Sequence, residues 1–163
     1  MTYDDFLNNK VCVAADSGFD VTDDEINPNL KPHQREAVKW ACKGGRRALF
    51  ESFGLGKTVQ ELEFCRLVLK HNGGRALLVL PLGVRQEFTH DAVNLLGINP
   101  PKYVRTMDEI ESCTDEICMT NYERVRDGDI DPKYFSCVCL DEASVLRSFG
   151  SKTYQMFLPK FKG

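Results

Sequence analysis

Short apolar runs alternate along this chain with segments of helical periodicity, and this alternation constrains the fold more than any other feature. Residues 76–80 (Ala-Leu-Leu-Val-Leu) form one run, and residues 117–119 and 137–140 form two more. Such runs are typical of strands that are buried on both faces of a parallel sheet. Apolar side chains recur at helical spacing in residues 57–71, before the first run, and in residues 84–95, between the first run and the second. Strands that alternate with helices predict a parallel sheet with helices on both faces.

Shorter elements extend this pattern. Residues 33–43 and 107–112 are expected to form helices, and residues 47–50 and 103–104 are expected to form strands. Ligands of parallel α/β sheets bind beyond the carboxyl ends of the strands. We therefore expect a functional site in the loops that follow residues 50, 80, 119 and 140.

The loop at residues 51–58 has the composition of a phosphate-binding loop. It reads Glu-Ser-Phe-Gly-Leu-Gly-Lys-Thr and leads directly into a predicted helix. Gly54 and Gly56 let backbone N–H groups turn toward phosphate oxygens, and the helix N-terminus adds partial positive charge. Lys57 supplies a charge for the β- and γ-phosphates, and Thr58 supplies a hydroxyl for Mg²⁺. The loop therefore predicts a site for a nucleotide with its Mg²⁺ ion.

An acidic pair, Asp141 and Glu142, follows directly after the apolar run 137–140. An enzyme with a phosphate loop needs an acidic group at the end of a neighbouring buried strand to hold Mg²⁺, and Asp141 has that place. Glu142 can act as the general base that polarises the attacking water. Each feature also has a plainer interpretation. The acidic pair also fits the charged first turn of a helix. The loop also fits a tight strand–helix turn, and Glu51 stands where the general P-loop pattern has glycine.

Together with three further motifs, these residues resemble the first RecA-like domain of a superfamily-two helicase of the Swi/Snf translocase type, phage-encoded relatives included. The matching segments follow the family's order: Leu-Lys-Pro-His-Gln at 30–34, Ser-Phe-Gly-Leu-Gly-Lys-Thr at 52–58, Leu-Val-Leu-Pro-Leu at 78–82, Met-Thr-Asn-Tyr-Glu at 119–123 and Asp-Glu-Ala-Ser at 141–144. The resemblance implies an α/β RecA-like P-loop fold, a three-layer sandwich with a mostly parallel sheet. This domain is expected over residues 30–163, incomplete at its C-terminus, with residues 1–29 as an acidic leader before it.

The resemblance also implies a function and a set of site residues. The chain would bind ATP and Mg²⁺ as one lobe of a DNA-dependent ATPase, helicase or translocase. The nucleotide-binding residues would be Gln34 at the adenine edge, through its amide donor and acceptor, and Gly54, Leu55, Gly56, Lys57 and Thr58 at the phosphates. Lys57, Asp141 and Glu142 would be catalytic, and Thr58 and Asp141 would hold Mg²⁺.

A nucleic-acid strand, DNA rather than RNA, is the partner that the resemblance implies. Its contacts would be Pro81, Leu82, Arg85, Thr120 and Asn121, which suit sequence-independent phosphate binding. Tyr122 is expected to pack in the core instead of stacking on a base. Ser144 stands where the family usually has a histidine that couples the nucleotide site to the nucleic-acid site.

The family's motor also needs a second RecA-like domain. That domain supplies an arginine finger, which accelerates phosphoryl transfer by about 10³–10⁵ in other enzymes. We find no such domain in these 163 residues, so we expect nucleotide binding with weak or no turnover by this chain alone. Two alternatives remain open: a P-loop ATPase that does not act on nucleic acid, and a non-catalytic nucleotide- or DNA-binding interaction module.

Charge and composition predict the cellular compartment of the protein and the kinds of partner it can have. Residues 1–29 carry a net charge of −6 and the remaining residues +3, which permits nucleic-acid binding and also fits ordinary surface charge. The chain has no apolar run of about 18 residues and no signal peptide, so we expect no membrane contact and no secretion. Its seven cysteines form no Cys-x-x-Cys pair, which indicates reduced thiols in the cytoplasm.

Overall fold

The computed structural model describes residues 15–52, 54–146 and 152–161. A sheet of parallel strands in the order β2-β3-β1-β4 forms its centre. In this sheet Leu78 lies opposite Met119 on one side and Cys139 on the other. The strands are β1 Ala76–Val79, β2 Lys102–Tyr103, β3 Ile117–Thr120 and β4 Cys137–Leu140. The apolar runs therefore form the parallel strands that the sequence predicts.

Helices precede, connect and follow the strands. They are α1 Pro32–Gly44, α2 Lys57–Asn72, α3 Arg85–Asp91, α4 Met107–Glu111, α5 Tyr122–Asp127 and α6 Lys152–Phe157. The helix predicted at 84–95 is divided: a 3₁₀ turn at Leu82–Val84 precedes α3, and a π turn at Ala92–Leu96 follows it. Further 3₁₀ turns lie at Asp23–Glu25, Pro132–Tyr134, Ala143–Leu146 and Leu158–Phe161.

Both faces of the sheet are covered, because side chains alternate along each strand. On β1, Ala76 and Leu78 enter a core formed with α1, α2 and α3, whereas Leu77 and Val79 enter a second core with α4, α5 and α6. The largest side chains of the two cores are Phe88 and Phe157, and both are fully buried. The predicted three-layer α/β sandwich is thus confirmed.

The strand predicted at 47–50 is wrong. These residues form no strand pairing, although Arg47 and Leu49 are partly buried and Ala48 and Phe50 are exposed, with 97% of Phe50 accessible. The alternation shows an extended backbone, but a strand exists only through hydrogen bonds to a neighbour. Among the described residues, β4 pairs only with β1, and residues 47–50 do not occupy its other edge.

The described part of the acidic leader packs on the first layer of helices. The Phe19 N–H donates to the Cys42 carbonyl at 3.0 Å, and the Phe19 ring stacks on His71 with 4.3 Å between centroids. Ile26 is buried in the first core. Glu25 accepts hydrogen bonds from Lys70 and contacts His71, and these contacts lower the pKa of Glu25 to about 2.

The cysteines of the described ranges are free thiols. Cys137 and Cys139 lie on the same face of β4, as their spacing predicts, and the sulfur of Cys139 is 3.7 Å from that of Cys65. Burial raises the pKa of Cys42 to about 12. Cys12, Phe53 and the first half of the leader lie outside the described residues. Among the helices that can be described, none has the length and apolar character needed to cross a membrane.

Candidate nucleotide site

The loop before α2 has the backbone conformation that anion binding requires. Gly56 is the N-cap of α2 with φ +76°, and Gly54 has φ +80°. Both angles lie in the left-handed region that glycine adopts without strain. Because α2 begins at Lys57, its first N–H groups have no partner within the helix and are oriented toward the loop. A cradle for an anion therefore precedes α2.

Gln34 joins the first helix to this loop. Its Oε1 accepts from the Lys31 N–H at 2.9 Å, which caps α1, and its Nε2 donates to the Leu55 carbonyl at 3.0 Å. A Cβ at Gly56 would lie 2.3 Å from that same Nε2. The residue predicted to read adenine is thus buried against the loop predicted to bind phosphate.

Glu51 and Gln60 stabilise the N-terminal end of the loop at residues 51–58. The Gln60 Nε2 donates to a carboxylate oxygen of Glu51 at 2.8 Å, and the Lys57 ammonium lies 3.4 Å from the Glu51 carbonyl oxygen. Glu51, which stands where the general P-loop pattern has glycine, therefore stabilises the loop through both its side chain and its backbone.

The Thr58 hydroxyl donates to a carboxylate oxygen of Glu87, at 3.2 Å. Thr58 is buried at the first turn of α2, and Glu87 projects toward it from α3. The sequence predicts the position of Thr58 but not its partner, since no local pattern relates the two helices. This contact brings a carboxylate to the hydroxyl that is expected to bind Mg²⁺.

Asp141 and Glu142 directly follow the carboxyl end of β4. The Asp141 N–H donates to the Val79 carbonyl at 2.9 Å, so the backbone of Asp141 continues the β1–β4 pairing. Burial raises the pKa of Asp141, the neighbouring Glu142 raises it further, and the charge of Lys57 opposes the rise. Glu142 has φ +50°, an uncommon conformation for a residue other than glycine. The charge of Lys57 therefore acts on Asp141, and α2 packs against β4, the strand that Asp141 follows.

Glu61 is a candidate site residue that the sequence analysis missed. Its Oε2 is buried and has no hydrogen-bond partner among the described residues. Burial, together with the charge of Asp141, raises the pKa of Glu61 to about 8, and Lys57 opposes this rise. Glu61 is four residues after Lys57 in α2, and residues at that spacing share a helix face. That spacing is the signal that could have identified it.

These groups fit a nucleotide with Mg²⁺. Mg²⁺ prefers oxygen ligands in near-octahedral geometry and retains several waters. The Thr58 hydroxyl and the Asp141 carboxylate are donors of this kind, and Glu87 accepts the hydrogen of the Thr58 hydroxyl. A Cβ at Gly54 would meet no atom of the described residues within 4 Å, so those residues leave this part of the loop open. Positive charge for the phosphates is available from Lys57 and the α2 N-terminus.

The predicted nucleic-acid contacts lie along the same edge of the sheet, and their exposure differs. Leu82 is half-exposed, and the Arg85 guanidinium lies 4.5 Å from the ring centroid of Tyr103. The Tyr103 hydroxyl contacts Asn121 at 3.5 Å. In contrast, Thr120 is fully buried and its hydroxyl donates to the Val104 carbonyl at 2.8 Å.

A shallow groove of about 370 Å³ opens beside these contacts. It runs along α3 and is lined by Arg85, Gln86, Thr89, His90 and Met119. Pro81, the remaining predicted contact, caps the 3₁₀ turn that leads into α3. The groove gives the predicted surface a concave floor with Arg85 in its lining.

Tyr122 packs in the second core, as predicted. Its ring lies 5.5 Å from that of Phe157, and its hydroxyl donates to the Asp141 carbonyl at 2.6 Å. Ser144 is exposed, and its hydroxyl donates to the Glu142 carbonyl at 3.3 Å. Thus the Tyr122 hydroxyl stabilises the backbone at the carboxyl end of β4, and the Ser144 hydroxyl contacts a carbonyl two residues earlier in the chain.

Comparison with known proteins provides no match by sequence. No family model matches the chain, and no curated protein matches it.

Solved structures do match, at the level of the fold. The UvsW helicase of bacteriophage T4 superposes with a TM-score of 0.65 at 15% identity, covering 98% of this chain and 56% of that one. A SWI2/SNF2 ATPase core of Sulfolobus solfataricus, solved with double-stranded DNA, superposes with a TM-score of 0.62 at 20% identity, covering 81% and 30%. The chain thus spans about half, or less, of the length of these proteins. The likeness shows that the chain has a RecA-like α/β fold.

Proposed function

We propose that this chain is the ATP-binding lobe of a DNA-dependent ATPase of the helicase or translocase type, acting in the cytoplasm. The main support for the proposal is that two segments of the chain lie close together at one edge of the sheet. Lys57 and Thr58 begin α2 there, and Asp141 follows β4 closely enough for Lys57 to influence its pKa. A phosphate loop and an acidic group on a neighbouring strand are the two parts that phosphoryl-transfer sites share.

Each residue has a role in this proposal. The N–H groups around Gly56 and the Lys57 ammonium bind the phosphates, and the loop amides do so without a side chain in the way. Thr58 and Asp141 hold the Mg²⁺ ion, which neutralises charge that develops on the phosphates. Glu142 orients and polarises the attacking water. Gln34, which already contacts the loop, binds the adenine edge.

A second lobe is part of the proposal, and exposed apolar side chains beside the loop support it. Phe50 is 97% accessible and Leu55 is 40% accessible, although both flank the phosphate cradle. Exposed apolar groups at a functional site are typical of a surface that another domain covers. A second RecA-like domain that supplies an arginine there would complete the site.

DNA is the proposed partner of the surface around Arg85. The support is the Arg85 guanidinium in the lining of the groove along α3, together with Asn121 and Leu82 at the same edge. Guanidinium, amide and backbone N–H groups bind phosphates without reading base sequence. Pro81 caps the 3₁₀ turn that leads into α3 and so helps to position this surface. Thr120 is fully buried, so the proposal assigns it no contact with DNA.

The test measures nucleotide and DNA binding separately. A fluorescent ATP analogue with Mg²⁺ is titrated into the wild-type chain and into Lys57→Ala, and a single-stranded DNA oligonucleotide is titrated into both. We expect Lys57→Ala to lose nucleotide affinity and to retain DNA affinity. Lys43→Ala, which removes an exposed ammonium from α1, is the matched control for loss of charge.

Three outcomes separate the competing functions. Nucleotide binding without any DNA binding would favour a P-loop ATPase that acts on another substrate. DNA binding by a wild-type chain that binds no nucleotide would favour a non-catalytic interaction module. Nucleotide binding that Lys57→Ala leaves unchanged would exclude the phosphate loop as the site.

A further inference from the structure

The Thr58 hydroxyl is held by a residue that no motif of the sequence includes. A hydroxyl has one hydrogen to donate and two lone pairs to offer. In this chain the hydrogen points to Glu87, at 3.2 Å. The lone pairs are therefore directed away from Glu87 and remain for a metal ion. An outer carboxylate that fixes the orientation of a metal-binding group is a common feature of metal sites.

Glu87 belongs to the same helical turn as Arg85. The two residues are two positions apart in α3, which places them roughly 200° apart around the helix axis. Accordingly, Glu87 contacts Thr58 on one side, and Arg85 lies over the Tyr103 ring on the other. One helical turn thus touches both the candidate nucleotide site and the candidate DNA surface.

The neighbouring contacts fix this turn firmly. Phe88, the next residue after Glu87, is fully buried in the first core. The Arg85 Nε donates to the Leu82 carbonyl at 3.3 Å, which ties the guanidinium to the 3₁₀ turn before α3. Arg85 and Glu87 are therefore carried by one short backbone segment, which gives a phosphate at Arg85 a direct route to Glu87.

We propose that Glu87 is a positioning residue that orients the Thr58 hydroxyl for Mg²⁺, and that the first turn of α3 thereby couples DNA at Arg85 to the nucleotide site. The inference rests on the proposed function, since it requires Mg²⁺–nucleotide at Thr58 and DNA at Arg85. Ser144 stands where the family usually has a histidine that couples the nucleotide site to the nucleic-acid site, and its hydroxyl makes a local contact to Glu142. The first turn of α3 would give this chain another route between the two sites.

The first experiment measures how much Mg²⁺ improves the binding of a fluorescent ADP analogue, as the ratio of affinities with Mg²⁺ and with EDTA. We expect Glu87→Ala to lower this ratio about 10–100-fold, the usual effect of removing an outer-shell partner. Glu87→Gln keeps an acceptor oxygen for the Thr58 hydroxyl, so it should retain most of the ratio. Glu111→Ala removes an exposed carboxylate from α4 and should leave the ratio unchanged.

A double-variant cycle connects the effect to Thr58. Thr58→Val removes the hydroxyl, so adding Glu87→Ala to it should cause no further loss, because contacting residues are not additive. An unchanged ratio in Glu87→Ala would overturn the role of Glu87. Equal losses in Glu87→Ala and Glu87→Gln would overturn it too, since they would indicate an effect of charge. A thermal melt of each variant verifies that it is folded.

The second experiment measures coupling. The Mg²⁺–nucleotide affinity is measured with and without a saturating single-stranded DNA oligonucleotide. We expect DNA to change the affinity in the wild-type chain, and we expect this change to disappear in both Arg85→Ala and Glu87→Ala. A wild-type chain that binds both ligands independently would overturn the coupling and leave the proposed function standing. A wild-type chain that binds no nucleotide would overturn both.

Discussion

The amide nitrogen of Gln34 donates a hydrogen bond to the Leu55 carbonyl at 3.0 Å, and this contact fixes the phosphate loop to the first helix. The space for it exists because residue 56 has no side chain: a Cβ there would lie 2.3 Å from the Gln34 Nε2. The shape of the loop and the placement of Gln34 therefore depend on one glycine.

Gly56→Ala should consequently damage the loop more than Gly54→Ala. Both glycines have positive φ, so either substitution carries a backbone strain of roughly 1–2 kcal/mol. The Cβ at position 56 also collides with Gln34, whereas a Cβ at position 54 meets no atom within 4 Å in the part of the chain that the structure describes. Urea unfolding and nucleotide titration of the two variants measure the difference. Equal losses of stability and of affinity would show that the contact between Gln34 and Leu55 does not shape the loop.

Glu61→Gln should change how stability depends on pH. The pKa of Glu61 is about 8 in the folded chain against an ordinary 4.5, so the folded state retains a proton that the unfolded state releases between these values. The free energy of unfolding therefore falls as pH rises through this window, by up to about 1.4 kcal/mol per pH unit. Glutamine is neutral throughout and removes this contribution.

Urea unfolding of the wild-type chain and of Glu61→Gln near pH 4.5 and near pH 8 measures this dependence. The stability advantage of Glu61→Gln should be small at the lower pH and on the order of a few kcal/mol at the higher pH. Asp141, whose pKa is also raised, leaves a shallower slope of the same sign in both proteins. An advantage that does not grow with pH would contradict the burial of a protonated Glu61.

Tyr122→Phe should weaken the acidic end of β4 and keep the core intact. The variant retains the ring that packs against Phe157 and loses the hydroxyl that donates to the Asp141 carbonyl at 2.6 Å. We expect a loss of about 0.5–1.5 kcal/mol in the free energy of unfolding. Tyr134→Phe removes a hydroxyl from a half-exposed ring and should change stability little. Equal effects of the two substitutions would contradict the assigned contact.

Ile26→Ala should destabilise the whole lobe, although Ile26 belongs to the acidic leader. Its side chain is only 2% accessible and packs in the first core, so truncation should cost about 2–5 kcal/mol. Asp24→Ala, an exposed change in the same 3₁₀ turn, should cost little. Urea unfolding compares the two variants, and a neutral Ile26→Ala would show that the leader is dispensable for the fold.

The strands and helices could be predicted because their signals are local. The apolar run at 76–80 is buried on both faces as β1, and the periodicity of 57–71 corresponds to α2 within one residue at its end. Residues 47–50 were predicted as a strand from the same kind of signal, but pairing requires a partner elsewhere in the chain. A short sequence contains no information about whether that edge of β4 is occupied.

The residues of the candidate site also differ in whether the sequence alone could identify them. Gln34, Lys57 and Asp141 could be identified from motifs, because each motif has a fixed spacing from a strand or a helix end. Glu87 could not, because its contact with Thr58 depends on how α3 packs against α2. Glu61 is intermediate: its position one turn after Lys57 is visible in the sequence, but its burial follows only from the fold.

Amide hydrogen exchange with and without Mg²⁺–ATP tests the central claim most directly, since it reports where on the chain the nucleotide binds. The account predicts slower exchange at Gly54 to Thr58 and in the first turn of α2 when Mg²⁺–ATP is bound, because those N–H groups then donate to phosphates. Lys57→Ala should show no such protection. Nucleotide binding that protects other segments and leaves residues 54–58 unchanged would contradict the account.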